Sequence, residues 1–169
     1  MEQNKRVVDL RDLSSLDLTC VLPLNNAHAK ETSALDESGL AALLAMAFYA
    51  RGIDRGAKAF LIALDHNAAY ENPNFAWFKD CRESFVYIDR VIVAQSARGL
   101  GIAKLLYEDL FVAAKQAGHK HIVCEVNIAP PNPVSDAFHA AMGFEEVGQA
   151  TIANGTKTVR YFERVLRGC

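Results

Sequence analysis

The hexapeptide Arg98-Gly99-Leu100-Gly101-Ile102-Ala103 has the residue types needed to hold an anion. Glycine lacks the Cβ that would keep a ligand's phosphates away from the backbone, so the amides of Gly99, Leu100, Gly101, Ile102 and Ala103 can point into one concavity. The apolar run Val91-Ile92-Val93 precedes the turn and an amphipathic helix follows it, which sets that helix's free N–H groups and positive dipole end beside the anion. Two phosphate motifs do not fit. A P-loop would place Lys and then Ser or Thr after the second glycine, where Ile102-Ala103 stand, and a dinucleotide fingerprint needs a third glycine.

Groups able to bind or move a proton gather in Asn25-Asn26-Ala27-His28-Ala29-Lys30-Glu31-Thr32-Ser33, a polar and aperiodic stretch expected to form a loop near something functional. Asp89, Glu125 and His139 are further titratable groups on periodic segments. Glu125 would be costly to bury unpaired, and Arg90 or Lys104 could partner it. The four cysteines, Cys20, Cys81, Cys124 and Cys169, form no CxxC pair and no zinc set with clustered histidines. They read as reduced thiols, with Cys124 a small core residue.

The elements that must position these groups follow from periodicity. Val7 to Leu10 reads as a short strand, and Leu16 to Asn26 has helical spacing interrupted by Pro23, which predicts a kink or split near Leu22. Leu40, Leu43, Leu44, Ala47 and Phe48 share a helical face, with Ser33 or Asp36 as N-cap and Gly52 ending the helix after Arg51. Ala57 to Leu64 is an apolar strand, and the aromatic segment from Ala68 to Glu83 is expected to pack on the domain. Phe85 to Val93 is a long strand with Phe85, Tyr87, Asp89, Val91 and Val93 on one face and Val86, Ile88, Arg90 and Ile92 on the other.

The helix after the glycine turn is expected to bury Ile102, Leu105, Leu106, Leu110, Ala113 and Ala117 and to stop at Gly118. His121 to Asn127 should lie parallel to the preceding strand because a crossover helix joins them. Asn132 and Pro133 open a helix that runs to Met142 before Gly143. Two closing strands, Phe144 to Ile152 and Lys157 to Leu166, flank the hairpin dipeptide Asn154-Gly155.

The chain of 169 residues reads as one domain. Its 51 % hydrophobic and 22 % charged content is that of an ordinary globular protein, and a formal charge of −2 gives no basic stripe for nucleic acid. No apolar run approaches the ~20 residues of a membrane span, and Met1 to Arg6 lacks the apolar core of a signal peptide. A cytoplasmic protein with neither nucleic-acid nor membrane partners is expected.

The pattern Arg-x-x-Gly-x-Ala at Arg98 to Ala103 resembles the pyrophosphate-binding signature of the GNAT superfamily, the acyl-CoA-dependent N-acetyltransferases. A second likeness lies in Asn127, Ser135, Phe138-His139 and Gly143-Phe144, where Ser-x-x-Phe-His-x-x-x-Gly-Phe looks like the branch containing the phosphinothricin-type acetyltransferases. The two signatures and the element order cover roughly Ala57 to Phe162. The resemblance implies a single α/β (α+β) domain of GNAT fold, a mixed central sheet of about six to seven strands with a splayed parallel pair, and about four helices.

It further implies acetyl-CoA as cosubstrate and no metal. The pantetheine arm would be held by backbone groups near Ile92 and Val93, the pyrophosphate by Arg98, Gly99, Leu100, Gly101, Ile102 and Ala103, with Asn127, Ser135 and His139 also on the cofactor. The reaction needs a neutral amine, a backbone N–H near Val93 to stabilise the oxyanion, and a proton for the leaving thiolate. His139 is the candidate donor, matching a position where relatives carry Tyr; the alternative is a helix histidine bonded to a backbone carbonyl. Glu31, Asp89 and His28 are the candidate general bases.

The leading expectation is therefore transfer of an acetyl group to a primary amine of a small molecule or peptide. A sensor or regulatory module of the same fold, binding acyl-CoA without turnover, is the alternative. The Asn154-Gly155 hairpin offers an edge on which a homodimer could pair.

Overall fold

The computed structural model describes residues 5–30 and 32–168. In chain order the elements are β1 (Val7–Asp9), α1 (Ser15–Leu18), α2 (Val21–Ala27), α3 (Glu37–Met46), β2 (Tyr49–Ile53), β3 (Ala59–Asp65), α4 (Pro73–Cys81), β4 (Val86–Val93), α5 (Ile102–Gln116), β5 (His121–Asn127), α6 (Pro133–Ala141), β6 (Glu145–Ile152) and β7 (Lys157–Val165). The seven strands form a mixed sheet in the order β1-β2-β3-β4-β5-β7-β6. Packing divides the chain into two compact units, Met1–Leu64 with Ile88–Ala113, and Asp65–Tyr87 with Ala114–Cys169.

In the first unit β1, β2 and β3 are antiparallel, with Val7 opposite Ile53 and Ile53 opposite Ala59. The expected helical interruption at Pro23 is a split between α1 and α2. Proline is tolerated as the third residue of α2 because the first-turn N–H groups have no intrahelical acceptor to lose. Asp36 caps α3 by accepting from the Gly39 amide at 2.7 Å. That helix ends at Met46 rather than Arg51, so Tyr49 and Arg51 lie in a strand, contrary to the helical reading.

The competing interactions are long-range and invisible to local periodicity. The Phe48 amide donates to the Ala63 carbonyl at 3.0 Å, and the Tyr49 hydroxyl and Arg51 guanidinium each reach Asp109 at 2.7 Å. Gly52 ends no helix. Its absent Cβ would lie 2.7 Å from the Ala59 carbonyl oxygen across the β2–β3 ladder.

Helix α5 buries Ile102, Leu106, Tyr107, Leu110, Phe111 and Ala114. Leu105 and Ala113 are only half-buried and Ala117 is exposed, so the apolar stripe is rotated from the expected one towards the two aromatics. Gly118 ends the helix with φ +83.

In the second unit β5 pairs antiparallel with β7, and β7 with β6, with a bulge between Glu146 and Gly148. The parallel pairing of β4 with β5 comprises Val86↔Ile122 and Tyr87↔Val123. Among the described residues this ladder goes no further. The β6–β7 turn places Ala153, Asn154 and Gly155 at positive φ, the conformation for which Asn-Gly is suited.

The aromatic segment does pack, and does so as helix α4. Asn72 accepts from the amides of Asn74 and Phe75, Pro73 occupies the first turn, and Phe75 and Phe78 are buried. Trp77 stacks on Tyr161 at 4.2 Å and lies so close over Gly148 that a Cβ there would meet its ring at 2.5 Å. Cys124 is buried, which pushes its thiol up, away from nucleophilic use. Cys169 falls outside the described residues.

Candidate functional site

Strand β4 runs without interruption to the turn that the sequence singled out. The Ala94 amide donates to the Lys58 carbonyl at 2.8 Å, a short 3-10 turn spans Gln95–Ala97, and α5 begins at Ile102. Gly99 and Gly101 take φ +76 and +73, a region that side-chain-bearing residues rarely adopt, and open space lies where each Cβ would stand. Among the described residues the amides of Gly99, Leu100, Gly101, Ile102 and Ala103 have no acceptor; the first bond into the helix is Leu105 N–H to the Gly101 carbonyl, 3.0 Å. A row of orphan donors at the positive end of a fifteen-residue helix, with open space at the Cβ positions of Gly99 and Gly101, suits a phosphate.

Two side chains brace this turn. Arg98 is exposed and its Nη2 donates to His28 Nε2 at 3.3 Å. His28 Nδ1 in turn donates to the Leu24 carbonyl at 3.0 Å, at the C-terminal end of α2. Lys5 Nζ donates to the Leu100 carbonyl at 2.8 Å. The sequence carries no signal for the Lys5 contact, because it joins residues at opposite ends of the unit's chain.

The polar stretch that begins at Asn25 is not wholly the expected loop, since Asn25, Asn26 and Ala27 form the last turn of α2, and it is organised by a residue of β4. Asp89 and Arg90 form an ion pair at 2.7 Å with both side chains 4 % exposed. Arg90 Nη1 also donates to Asn25 Oδ1 at 2.8 Å, and Nη2 to Ser33 Oγ at 3.2 Å. Asn25 donates to the Ser33 carbonyl, while Asn26 exchanges two bonds of 2.9 Å with the backbone of Leu35. Asp89 is thus bound to a buried guanidinium. Glu31 falls outside the described residues.

The same contacts correct the expected partnership of Glu125. Arg90 pairs with Asp89 and Lys104 with Glu108 at 3.8 Å, while the Tyr87 hydroxyl donates to Glu125 Oε1 at 3.0 Å. Arg90 is turned to the α2–α3 connection, and Lys104 lies on the solvent face of α5, where an i,i+4 acid is within reach.

In the second unit Asn132 caps α6 by accepting from the Ser135 amide at 3.2 Å, which sets Ser135 and His139 one turn apart. His139 Nδ1 donates to the Ser135 carbonyl at 2.8 Å and lies 3.3 Å from Ser135 Oγ. The ring is 5 % exposed, parallel to Phe162 at 5.9 Å and edge-on to Phe144 at 5.2 Å. Burial lowers its pKa, against the opposing pull of the Ser135 carbonyl and of Asp136, and so favours the neutral imidazole. Asn127 sits opposite Val159 at the end of β5. Ile92 is buried and Val93 half-buried at the end of β4.

The structure therefore brings Arg98 together with His28 in one unit, and Ser135 with His139 in the other. Among the described residues no group of three or more His, Cys, Asp or Glu side chains is placed to hold a metal ion, and no helix is long and apolar enough to cross a membrane.

The model of the Acetyltransferase (GNAT) family matches residues 68–144, from the segment before α4 to the residue before β6. No curated protein matches. Solved structures do. Arabidopsis thaliana NAA60 in complex with a bisubstrate analogue has a TM-score of 0.72 at 14 % identity, covering 97 % of this chain and 99 % of that one. The ribosomal-protein-S18-alanine N-acetyltransferase from Escherichia coli has a TM-score of 0.66 at 14 % identity, covering 97 % and 95 %. The putative acetyltransferase yncA from Salmonella typhimurium, with its cofactor acetyl-CoA, has a TM-score of 0.68 at 14 % identity, again covering 97 % and 95 %. At this identity the likeness shows the fold.

Proposed function

From that shared fold and family match, we propose that this chain is an acetyl-CoA-dependent N-acetyltransferase that acts on a primary amine of a small molecule or a peptide. The observation that carries the reading is the glycine turn at the end of β4, whose unaccepted amides, positive φ angles and neighbouring Arg98 suit a pyrophosphate. In this reading the amides from Gly99 to Ala103 and the Arg98 guanidinium bind the pyrophosphate, and backbone groups near Ile92 and Val93 pair with the pantetheine amides. Asn127, Ser135 and His139 are the proposed cofactor contacts of the second unit. The protein is proposed to act in the cytoplasm.

Acetyl-CoA supplies an acetyl thioester, so the chain's own task is orientation and proton movement. A new C–N bond forms as the C–S bond breaks; the amine loses a proton to a base and the thiolate gains one. A backbone N–H near Val93 donates to the thioester oxygen. His139 exchanges the thiolate's proton through Nε2, because its Nδ1–H is engaged by the Ser135 carbonyl. Glu31 is the proposed base, followed by Asp89, whose carboxylate is engaged by the Arg90 guanidinium at 2.7 Å.

The same ion pair, together with the burial of His139 in its neutral form, favours a second reading, an acyl-CoA-binding module without turnover. Thiol release from acetyl-CoA in the presence of an amine panel separates the two. The panel includes N-terminal peptides, since one structural relative is a ribosomal-protein-S18-alanine N-acetyltransferase. Turnover supports the enzyme, and CoA binding without turnover supports the module. The phosphinothricin-type branch would show as a preference for small amino-acid amines over peptides.

A further inference from the structure

We propose that His28 is a positioning residue for Arg98, orienting its guanidinium towards the anion bound by the glycine turn without cancelling its charge. The inference rests on the proposed CoA-binding function and assigns to His28 a role other than the general base.

The ring's two nitrogens have fixed duties. The Leu24 carbonyl can only accept, so the His28 Nδ1 that lies 3.0 Å from it carries the proton. A guanidinium can only donate, so Nε2, 3.3 Å from Arg98 Nη2, presents its lone pair. The two bonds require the same neutral tautomer, and each supports the other. The ring is thereby fastened to the C-terminal end of α2 at one nitrogen and holds an exposed arginine at the other.

The chemistry of the partner matters for an anion site. An exposed arginine samples many rotamers, and the entropy of fixing it is subtracted from any affinity it confers. A carboxylate partner would fix it more firmly but would neutralise the charge that attracts the phosphates. A neutral imidazole fixes the guanidinium while leaving its full positive charge and its remaining N–H donors for the ligand. A single imidazole contact engages one end of the fork and leaves the bidentate face available for phosphate oxygens. Asn25 before His28 and Ser33 after it are both anchored independently by Arg90, so the ring is carried on a braced segment.

The test compares His28→Ala, His28→Gln and His28→Glu by calorimetric titration of the full-length protein with CoA, and by KM for acetyl-CoA and for S-acetylpantetheine, which lacks the pyrophosphate. His28→Ala should weaken CoA binding and raise the acetyl-CoA KM roughly three- to tenfold with kcat little changed, the loss of one hydrogen bond to a charged group. KM for S-acetylpantetheine should not move. His28→Gln, which retains a neutral acceptor, should recover most of the affinity, and His28→Glu should bind more weakly than His28→Gln. In an Arg98→Ala background His28→Ala should have no further effect.

Equal KM increases for both thioesters, or additive effects of the two alanine variants, would make His28 a structural cap of α2 and overturn the proposal. A collapse of kcat with KM unchanged would make it the base and overturn it equally. Absence of CoA binding by the wild-type protein would instead remove the functional reading on which it rests.

Discussion

Gly101 has φ +73 and Gly118 has φ +83, and open space surrounds the position of a Cβ at both, yet of the two Gly101 alone lies in the proposed anion cradle. The pair separates backbone strain from ligand exclusion. Gly101→Glu should lower CoA affinity by at least about tenfold by placing a side chain and a negative charge among the donors, whereas Gly118→Ala should cost comparable strain of about 1 kcal/mol and leave CoA affinity unchanged. Calorimetric titration of both variants decides it, and unchanged CoA affinity in folded Gly101→Glu would move the phosphate site elsewhere. His139 is the second residue to test. If it protonates the departing thiolate, His139→Ala should lower kcat by on the order of 10² to 10⁴ with acetyl-CoA binding nearly intact, and His139→Tyr should recover part of the rate. Because burial lowers the ring's pKa, the donating imidazolium is a minority form at neutral pH, and the wild-type kcat should fall as pH rises through a value below about 6.5. A structural histidine would show reduced thermal stability in both variants with turnover per folded molecule preserved. The tie to the Ser135 carbonyl was one of the two alternatives open for this residue in sequence, since a helical i−4 carbonyl is always within reach of its ring.

At the scale of elements, what could be read in advance depended on whether the signal was local. The N-caps Asp36 and Asn132, the stop at Gly118 and the Asn154-Gly155 turn are set by residues a few positions apart, and the structure bears them out. Strand β2 was hidden inside an apparent helix because its evidence is remote: the Ala63 carbonyl, and Asp109 holding Tyr49 and Arg51. Helix α4 did carry a local signal, Asn72 before Pro73, which its dense aromatics obscured. The partners of buried charges were the least legible, since Arg90 was free in sequence to serve Glu125 and instead joins β4 to the connection between α2 and α3. This buried pair predicts a non-additive stability pattern. Arg90→Met should destabilise by about 3–5 kcal/mol because it removes the guanidinium that faces the buried Asp89 carboxylate, and adding Asp89→Asn should restore part of that loss. Urea denaturation of the single and double variants checks it; additive costs would mean that the ion pair is not the source.

Across the whole chain, two histidines give stability an acid-side dependence. Burial lowers the pKa values of His139 and His119, so below about 6.5 the unfolded chain binds protons that the folded chain resists. Their contribution is full above that pH and is lost as pH falls from it towards the lower folded values. Asp9 and Asp36, whose pKa values are lowered by Arg11 and by the Gly39 amide, lose theirs only at more acid pH, below about 4. The unfolding midpoint should therefore drop between pH 7 and 5, and His139→Gln should flatten that drop, as read by thermal denaturation across the range; an unaltered slope would show that other groups carry it. The parallel pair β4–β5, the crossover helix α5 and the antiparallel closing hairpin were all legible as an order of elements, which is why the candidate cradle could be placed before its geometry was seen. The proposed acceptor was not, because the courses of the connections between elements depend on remote contacts such as Arg90 to Ser33. The most direct test is to incubate the full-length protein with acetyl-CoA and a panel of small amines and N-terminal peptides, measuring free CoA thiol and acetylated amine together. The account predicts thiol release that depends on an amine and equals the amide formed; CoA binding with no amide from any member of the panel would contradict it.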